Sequence, residues 1–404
     1  MRDGWLETTL GDVAEWWSGG TPKAREPKYY ENGTIPWAVI ADMNKGIIDS
    51  TNSYITKEGL ALIGGRLAPV GSVLISMYAS VGKSAIANIP LATNQAIAWS
   101  IPNQKKIIPF YLYLVSQQLE KEISDLARGA TQRNINRQML REFTFQLPPL
   151  PEQKRIVDLI SSVDSYIEAL QQQLESAKRS RNAVLHELLT SGGDDWIETT
   201  LGEICADGLF ADGDWVESKD QDPEGDYRLL QLADIGDGTF LNKSDRWMNR
   251  EQFNRLGCTK LEVNDVLIAR MPDPIGRACL LPEGLPVCAT VVDVAIVRTG
   301  NETLQKFLAL LINSSDFRTE AFSLLTGTTR QRISRGNLAK ISFVIPSQEK
   351  QLEIVNLISL FDGEIAQSVR VIEEAKQLRS GLLSDLLSGE HEIPASYDKV
   401  MGAA

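Results

Sequence analysis

The stretch Trp5-Leu-Glu-Thr-Thr-Leu-Gly11 returns almost unchanged as Trp196-Ile-Glu-Thr-Thr-Leu-Gly202, 191 residues later. A second match pairs Gly129-Ala-Thr-Gln-Arg-Asn-Ile135 with Gly327-Thr-Thr-Arg-Gln-Arg-Ile333, and its offset of 198 then holds without a gap along the chain that follows. An internal repeat constrains the fold before any local pattern does. The sequence is therefore predicted to contain two tandem copies of one module.

The two copies agree at their ends and barely agree in their centres. Random drift after a duplication would spread the differences more evenly along each copy. The pattern therefore favours a common frame that carries two different recognition surfaces. An old duplication with drifting loops is the alternative interpretation.

Residues 152–190 are predicted to form a long helix, because apolar residues recur at alternating steps of four and three. Such a seam is typical of a helix that packs lengthwise on another helix. The second copy has the same phase, and each seam is interrupted once, by Arg181 and by Arg379. Each helix of about 38 residues would be roughly 57 Å long. The seam of the first copy comprises Ile156, Ile160, Val163, Ile167, Leu170, Leu174, Ala177, Val184 and Leu188.

A lone helix would expose such a stripe to water, so we expect the two long helices to pair with each other. Because each of the two similar modules is followed by one long helix, we expect the helices to pair antiparallel and the chain to have pseudo-twofold symmetry. Packing of each helix on its own module is the alternative.

The modules between the helices carry short runs rich in Val, Ile and Phe that predict strands, at 70–76, 96–101 and 143–147 and at 265–269, 291–297 and 341–345. A helix is predicted in each module, at 109–127 and at 302–325. The fold class is therefore α+β, with two mixed α/β modules separated by two long helices that pair as an antiparallel coiled coil. The predicted domains are a first module at 1–150, a first helix at 151–192, a second module at 193–348, a second helix at 349–390 and a tail at 391–404.

The charge of the chain is unevenly distributed. The net charge of −12 argues at first against a nucleic-acid partner. Residues 194–237, however, hold 14 acidic residues against Lys219 and Arg228, whereas residues 238–348 hold 14 basic and 10 acidic residues. Because the acidity is concentrated in one stretch, the rest of the chain remains compatible with DNA. The stretch itself is either an exposed loop or a mimic of DNA for a partner.

The four cysteines contain no C-x-x-C pair, and only two histidines occur, so a zinc site and a disulfide framework are not expected. No apolar run approaches the roughly 18–20 residues of a membrane helix, and the N-terminus does not resemble a signal peptide. These patterns predict a soluble, cytoplasmic protein without a membrane partner.

The segment after each module helix is the best candidate for a DNA-contacting surface. It is rich in Arg, Asn, Gln and Thr, which bind base edges and phosphates. A basic loop alone is more often a solvated surface, but two such loops at matched places favour contact. The candidates are Arg128, Thr131, Gln132, Arg133, Asn134 and Arg137 in the first copy and Thr329, Arg330, Gln331, Arg332 and Arg335 in the second. Near a weak match between the centres lie three further candidates, Lys83, Arg270 and Arg277.

Motifs for chemistry are missing from the sequence. Gly82-Lys83-Ser84 is not a phosphate-binding loop, because Met77 stands where that motif needs a glycine. Neither a tetrad typical of adenine methylation nor a glycine-rich turn typical of S-adenosylmethionine binding occurs. We therefore expect a chain with no catalytic residues, no metal and no cofactor.

Together these features resemble the specificity subunit of Type I restriction–modification enzymes. The likeness rests on the repeated segments 5–11 and 196–202, on both basic loops, on Leu147-Pro-Pro-Leu-Pro-Glu-Gln-Lys-Arg-Ile156 and on the helix ends 188–192 and 386–389. It covers nearly the whole chain. The second copy departs from the pattern in Pro346-Ser-Gln-Glu-Lys-Gln351, which has one proline where the first copy has three.

The resemblance implies a division of labour. Each module would be a target recognition domain that reads one half of a bipartite site in double-stranded DNA. The paired helices would set the gap between the half-sites and dock two methyltransferase subunits, which would bring S-adenosylmethionine and methylate adenine. A separate ATP-dependent restriction subunit would translocate DNA and cut it. Two other hypotheses stay open: a DNA methyltransferase with unrecognised motifs, and a coiled-coil scaffold that binds proteins only.

Overall fold

The computed structural model describes residues 4–129, 134–272, 274–328, 330–394 and 396–397, apart from the side chains of residues 128 and 129. The chain divides into two compact units: the first comprises residues 1–171 and 371–404, and the second comprises residues 172–370. Each unit thus holds one module and a part of both long helices. The domain boundaries given above follow the sequence repeat and stay a prediction.

The first half of the chain contains short strands and helices that precede one long helix. In chain order they are β1 (Leu6–Thr9), α1 (Leu10–Val13), β2 (Ala14–Ser18), β3 (Ile35–Ala38), β4 (Ile47–Ile48), β5 (Tyr54–Ile55), α2 (Lys57–Leu62), β6 (Val73–Ser76), β7 (Ser84–Ala87), β8 (Ala92–Thr93), β9 (Ile97–Pro102), α3 (Pro109–Gly129), α4 (Arg137–Arg141), β10 (Thr144–Leu147) and α5 (Leu150–Thr190).

The second half follows the same order, except that its described residues have no counterpart of β4 and form two helices where the first half has α3. Its elements are β11 (Ile197–Thr200), α6 (Leu201–Ile204), β12 (Leu209–Asp212), β13 (Tyr227–Leu230), β14 (Trp247–Met248), α7 (Arg250–Leu256), β15 (Val266–Ala269), β16 (Ala278–Leu280), β17 (Cys288–Thr290), β18 (Val294–Arg298), α8 (Glu302–Ile312), α9 (Ser315–Ser323), α10 (Arg335–Ala339), β19 (Ser342–Ile345) and α11 (Gln348–Ser388).

The sheets show that the divergent centres keep one topology. The first unit has sheets ordered β2-β9-β6-β7-β4, β5-β3-β8 and β1-β10, and the second has β12-β18-β15-β16, β14-β13-β17 and β11-β19. In both units the middle strand of the three-stranded sheet pairs with one neighbour in parallel and with the other antiparallel. The two copies are therefore one fold with two different sets of loops and side chains.

The repeated segment at the start of each copy begins a short helix that packs on its module. Thr9 caps α1 in a capping box with Asp12. Gly11 lies so close to α4 that an added Cβ would meet the Arg141 carbonyl oxygen at 3.1 Å, and Gly202 faces the Ala339 carbonyl oxygen at the same distance. The threonine and glycine that the two copies share thus serve their common frame.

Both long helices begin two residues after the matched prolines, and a buried glutamine holds each start. Gln153 donates to the Pro148 carbonyl at 2.8 Å, and Gln351 donates to the Pro346 carbonyl at 2.9 Å. The two prolines that the second copy lacks therefore leave its helix start unchanged.

Within each unit the two long helices pack on each other in opposite directions. In the first unit Arg379 forms a two-bond ion pair with Asp164, at 2.6 and 3.0 Å, and Leu386 shares a core with Ile156. In the second unit Arg181 pairs with Asp362 at 2.8 and 3.2 Å. The leucines at 185 and 189 share the core of the second unit with the isoleucines at 354 and 358. The expected antiparallel pair is therefore confirmed, and the two arginines that interrupt the seams are its ion-pairing residues.

The buried stripe moves by one residue beyond Arg181, where Leu185 and Leu189 are buried while Val184 and Leu188 are half-buried. A straight helix of 3.6 residues per turn drifts by about 20° for each heptad, which accounts for the shift.

The helix predicted at 302–325 is two helices, α8 and α9, so that prediction was wrong in one respect. Asn313 ends α8 because its side chain bonds to the backbone of Ala278. The side-chain nitrogen donates to the Ala278 carbonyl at 2.9 Å, and the side-chain oxygen accepts from the Ala278 backbone amide at 3.0 Å. Ser314 then caps α9. Asparagine and serine side chains compete with helical hydrogen bonds, which explains the break.

Candidate nucleic-acid interface

Each basic loop is anchored at its end by the same contact. The Ile135 amide donates to the Met77 carbonyl at 3.2 Å, and the Ile333 amide donates to the Arg270 carbonyl at 3.0 Å. Both isoleucines are buried, and both acceptors directly follow a central strand, β6 or β15. The last residue of each sequence match, Ile135 or Ile333, is therefore held by the frame at the same place in both units.

The second loop is a tight hairpin. Thr326 and Arg332 exchange two backbone hydrogen bonds of 3.0 Å. Gly327 has a φ of 97°, and a Cβ there would lie 2.7 Å from the Arg330 carbonyl oxygen, so the turn requires glycine. The side chains of Arg330 and Gln331 are exposed at the tip, and within the described residues neither has a hydrogen-bond or ion-pair partner.

Part of the first loop lies outside the described residues. This holds for the predicted contacts Thr131, Gln132 and Arg133, for the side chain of Arg128 and, in the second loop, for Thr329. Two predicted residues of the first loop are described: Asn134 is half-buried, and Arg137 is exposed at the start of α4.

Arg332 and Arg335 are exposed and have acidic neighbours within the second unit. The Arg332 guanidinium lies 3.7 Å from Asp293, and that of Arg335 lies 3.9 Å from Asp212 and donates to the Phe210 carbonyl at 3.1 Å. Exposed pairs of this length are weak, so both guanidinium groups remain accessible to an anionic partner.

Arg270 points into its own unit. Its side chain is 4% exposed and donates to the carbonyls of Ile333, at 3.0 Å, and Val292, at 3.2 Å, as well as to Asp212. These contacts support a role in holding the basic loop in place. That Arg270 binds DNA stays a prediction that its contacts do not favour.

Lys83 and Arg277 occupy matched places and make matched contacts. Arg277 donates to the carbonyls of Ile235, at 2.7 Å, and Leu232, at 3.1 Å, and Lys83 donates to the side chain of Asn44. The acceptors lie in, or directly after, one 3-10 segment of each unit, Ile40–Lys45 in the first and Leu232–Asp234 in the second. The weak glycine–basic match therefore marks a tether inside the module, and direct DNA contact by either residue stays an untested prediction.

Two buried aspartates that the sequence analysis missed order the same 3-10 segments. Asp42 accepts from the amides of Val39 and Asn52 at 3.0 and 3.1 Å, and Asp234 accepts from those of Gln231 and Ser244 at 2.7 and 2.8 Å. The dipeptide Ala-Asp at 41–42 and 233–234 was the available signal. It was too short to recognise within divergent centres.

The acidic stretch 194–237 largely forms bonds within the second unit. Its carboxylates accept hydrogen bonds from neighbouring segments: Asp214 from the Thr259 amide at 2.9 Å, Asp220 from Arg255 at 2.6 Å, Asp222 from Asn249 at 2.9 Å and Asp237 from Arg318 at 3.0 Å. These contacts favour a structural use of the acidity over a mimic of DNA.

The described part of the chain holds no cluster of three His, Cys, Asp or Glu residues that could bind a metal ion. All four cysteines are buried, and burial raises the pKa of Cys279 to about 12, so the thiol is protonated at neutral pH. Among the described helices, none is both long and apolar enough to cross a membrane.

Two copies of one α/β frame, each presenting its own polar loop at the same place and joined by paired helices, define a class of DNA-recognition proteins. The profile of one family, the Type I restriction modification DNA specificity domain, matches residues 2–179 and again residues 193–377. The chain belongs to this family and is a DNA specificity subunit of the Type I restriction–modification class.

Relatives support this assignment. The chain is 29% identical to the specificity subunit of the Escherichia coli Type I restriction enzyme EcoR124I/EcoR124II, in an alignment that covers 43% of this chain and 45% of that subunit, less than half of its length. It is 24% identical to the StySPI specificity subunit of Salmonella potsdam over 96% of this chain and 90% of that one.

Solved structures share the fold. A chain from a study of complex assembly and conformational transition of the type I R-M system superimposes with a TM-score of 0.62 at 17% identity, over 96% of this chain and 98% of that chain. The S subunit from M. genitalium gives a TM-score of 0.50 at 15% identity, over 98% of each chain.

Proposed function

We propose that the two units read different halves of one bipartite site in double-stranded DNA. The observation that carries the proposal is the repeated loop anchor at Ile135 and Ile333. One frame presents a polar loop at the same place twice, while the loop sequences differ. A DNA-binding pair of this design recognises two unlike half-sites at a distance fixed by the protein.

The hairpin tip of the second unit supplies suitable chemistry. Arginine donates two hydrogen bonds to guanine, and glutamine donates to and accepts from adenine, both in the major groove. Arg330 and Gln331 are exposed and free of partners among the described residues, so they can make such bonds without breaking others. The proposed contacts are Arg128, Thr131, Gln132, Arg133, Asn134 and Arg137 for one half-site and Thr329, Arg330, Gln331, Arg332 and Arg335 for the other.

The chain acts, in this proposal, as a non-catalytic subunit in the cytoplasm, with two methyltransferase subunits and with restriction and translocase subunits. The long helices provide surface for such partners. Leu360 and Leu378 are 71% and 70% exposed, and Tyr166 is 58% exposed. In the proposal, these exposed side chains supply apolar contacts to the partner subunits.

Sequencing of methylated bases in a host with and without this chain tests the proposal directly. The expected result is one split motif, with two specified halves and an unspecified gap, that is methylated only when the chain is present. A continuous motif, or no difference between the two hosts, would contradict it.

A scaffold that binds proteins only is distinguished by the salt dependence of DNA binding. We expect Arg332→Ala, and equally Arg133→Ala, to weaken DNA binding by the assembled complex and to reduce the slope of log affinity against log salt by about 1 for each lost phosphate contact. Arg250→Ala, which removes an exposed arginine from α7 of the second unit, is the matched control. Unchanged affinity of the loop variants at every salt concentration would favour the scaffold.

A further inference from the structure

An exposed phenylalanine lies beside the hairpin of the second unit. Phe322, near the end of α9, is 64% exposed. It lines an open cleft together with Met271, Pro272, Arg330 and Gln331. A large aromatic ring left in water costs free energy in the isolated protein, so its position next to free polar donors points to a ligand.

The cleft has the character of a surface that reads bases. Two arginines, Arg318 and Arg330, line the cleft, and the sequence places one acidic residue, Asp273, between its lining residues Pro272 and Pro274. Its polar lining residues offer hydrogen-bond donors, and its apolar lining residues offer a ring and a thioether. In the major groove a thymine presents a methyl group next to hydrogen-bonding base edges, which matches this combination.

Contacts hold each of two lining segments of the cleft in place. Arg318 of α9 pairs with Asp237, at 3.0 Å, and donates to the Asn313 side chain at 2.7 Å. The backbone ladder between Thr326 and Arg332 holds the hairpin. A contact surface that is ordered before binding loses little conformational entropy when the ligand arrives.

The first unit lacks this ring. Counting back 198 residues, the offset of the loop match, places Ser124 of α3 where the second copy has Phe322. Phe322 is thus one of the differences that make the two recognition surfaces unlike.

We propose that Phe322 is a specificity-determining residue for the half-site read by the second unit. Its ring contacts a thymine methyl group in the major groove, while Arg330 and Gln331 bind the adjacent base edges. The inference rests on the proposed function and adds to it a chemical identity for one recognised base.

The test compares the methylated motifs produced by complexes that contain the wild-type chain, Phe322→Ala or Phe322→Leu. We expect Phe322→Ala to relax one thymine position in one half-site, with methylation of sites that carry another base there raised about tenfold relative to the intact motif. The other half-site stays unchanged, and Phe322→Leu, which keeps an apolar contact, retains most of the preference.

Ile197→Ala is the matched control, since Ile197 is 65% exposed in β11 and does not line this cleft. It is expected to leave both half-sites unchanged. If Phe322→Ala gives the wild-type motif, or lowers methylation of all sites without changing the motif, the inference is overturned. The second of these outcomes would assign Phe322 to a protein contact. If the wild-type chain gives no split motif, the proposed function itself fails.

Discussion

The buried thiols link single residues to the stability of the fold. Burial raises the pKa of Cys205, Cys258 and Cys288 to about 11 and that of Cys279 to about 12. A thiol in the unfolded chain has a pKa of about 8.5. Between this pKa and the higher pKa of the folded state, the folded protein keeps thiol protons that the unfolded chain has lost. The thiol contribution to stability is therefore fully present below about pH 8.5 and decreases as the pH rises towards the folded values.

We expect the urea concentration at the midpoint of unfolding to decrease when the pH is raised from about 7.5 to about 9.5, because ionisation of the thiols stabilises the unfolded state. Cys279→Ala removes one of the four groups, so its midpoint should fall less over the same interval. Equal pH dependence in the two proteins would contradict a role for this thiol.

Arg270 and Arg330 are both arginines of the second unit, yet their surroundings assign them different effects. Arg270→Ala leaves buried carbonyls and Asp212 without their donor, so we expect a loss of about 3 kcal/mol in the free energy of unfolding. Arg330→Ala removes an exposed side chain and should leave unfolding unchanged while weakening DNA binding. Thermal unfolding of both variants, compared with wild type, decides between these effects. Equal unfolding temperatures for the two variants would show that Arg270 does not hold the loop.

At the scale of elements, the paired helices depend on charge as well as on apolar contacts. The Asp164 carboxylate accepts two bonds from Arg379, and both side chains are partly exposed. We expect Asp164→Arg to lower the free energy of unfolding by about 1 kcal/mol, a modest value because solvent screens the pair. Adding Arg379→Asp restores the attraction with opposite signs, and a double-mutant cycle measures it. A double variant no more stable than Asp164→Arg would contradict the pairing.

The same helices are expected to set the gap between half-sites. The pair of Asp164 with Arg379 places Leu170 opposite residue 373 in the antiparallel register. The test inserts seven residues after Leu170 in α5 and seven more beside residue 373 in α11. The paired insertion should lengthen the helices by about 10 Å and the preferred gap by about three base pairs. Insertion in α5 alone breaks the register and serves as the control. An unchanged gap after paired insertion would mean that the helices do not set the spacing.

Regular patterns in the sequence predicted these elements well, whereas side-chain direction was not predictable. The spacing of the apolar residues predicted the start of α5 to within two residues, because a long repeat averages out local exceptions. It missed the break at Asn313, where a single side chain competes with the helix. The basic loops were located by their repeat. The same repeat could not show that Lys83, Arg270 and Arg277 turn inwards, because residue type does not fix orientation.

At the scale of the whole molecule, the chain alone is expected to perform no methyl transfer. Purified chain incubated with S-adenosylmethionine and DNA should incorporate no methyl groups, since the proposed function assigns methyl transfer to separate subunits. The assembled complex is the positive control. Transfer by the chain alone would favour a methyltransferase with unrecognised motifs.

The first unit is built from two stretches that are distant in the chain. Leu383, Leu386 and Leu387 share a core with Ile156 and Ile160. During synthesis these leucines leave the ribosome some 200 residues after the rest of that unit, so its apolar strip stays uncovered until then. A premature stop codon late in the gene would consequently damage the half of the protein that was translated first.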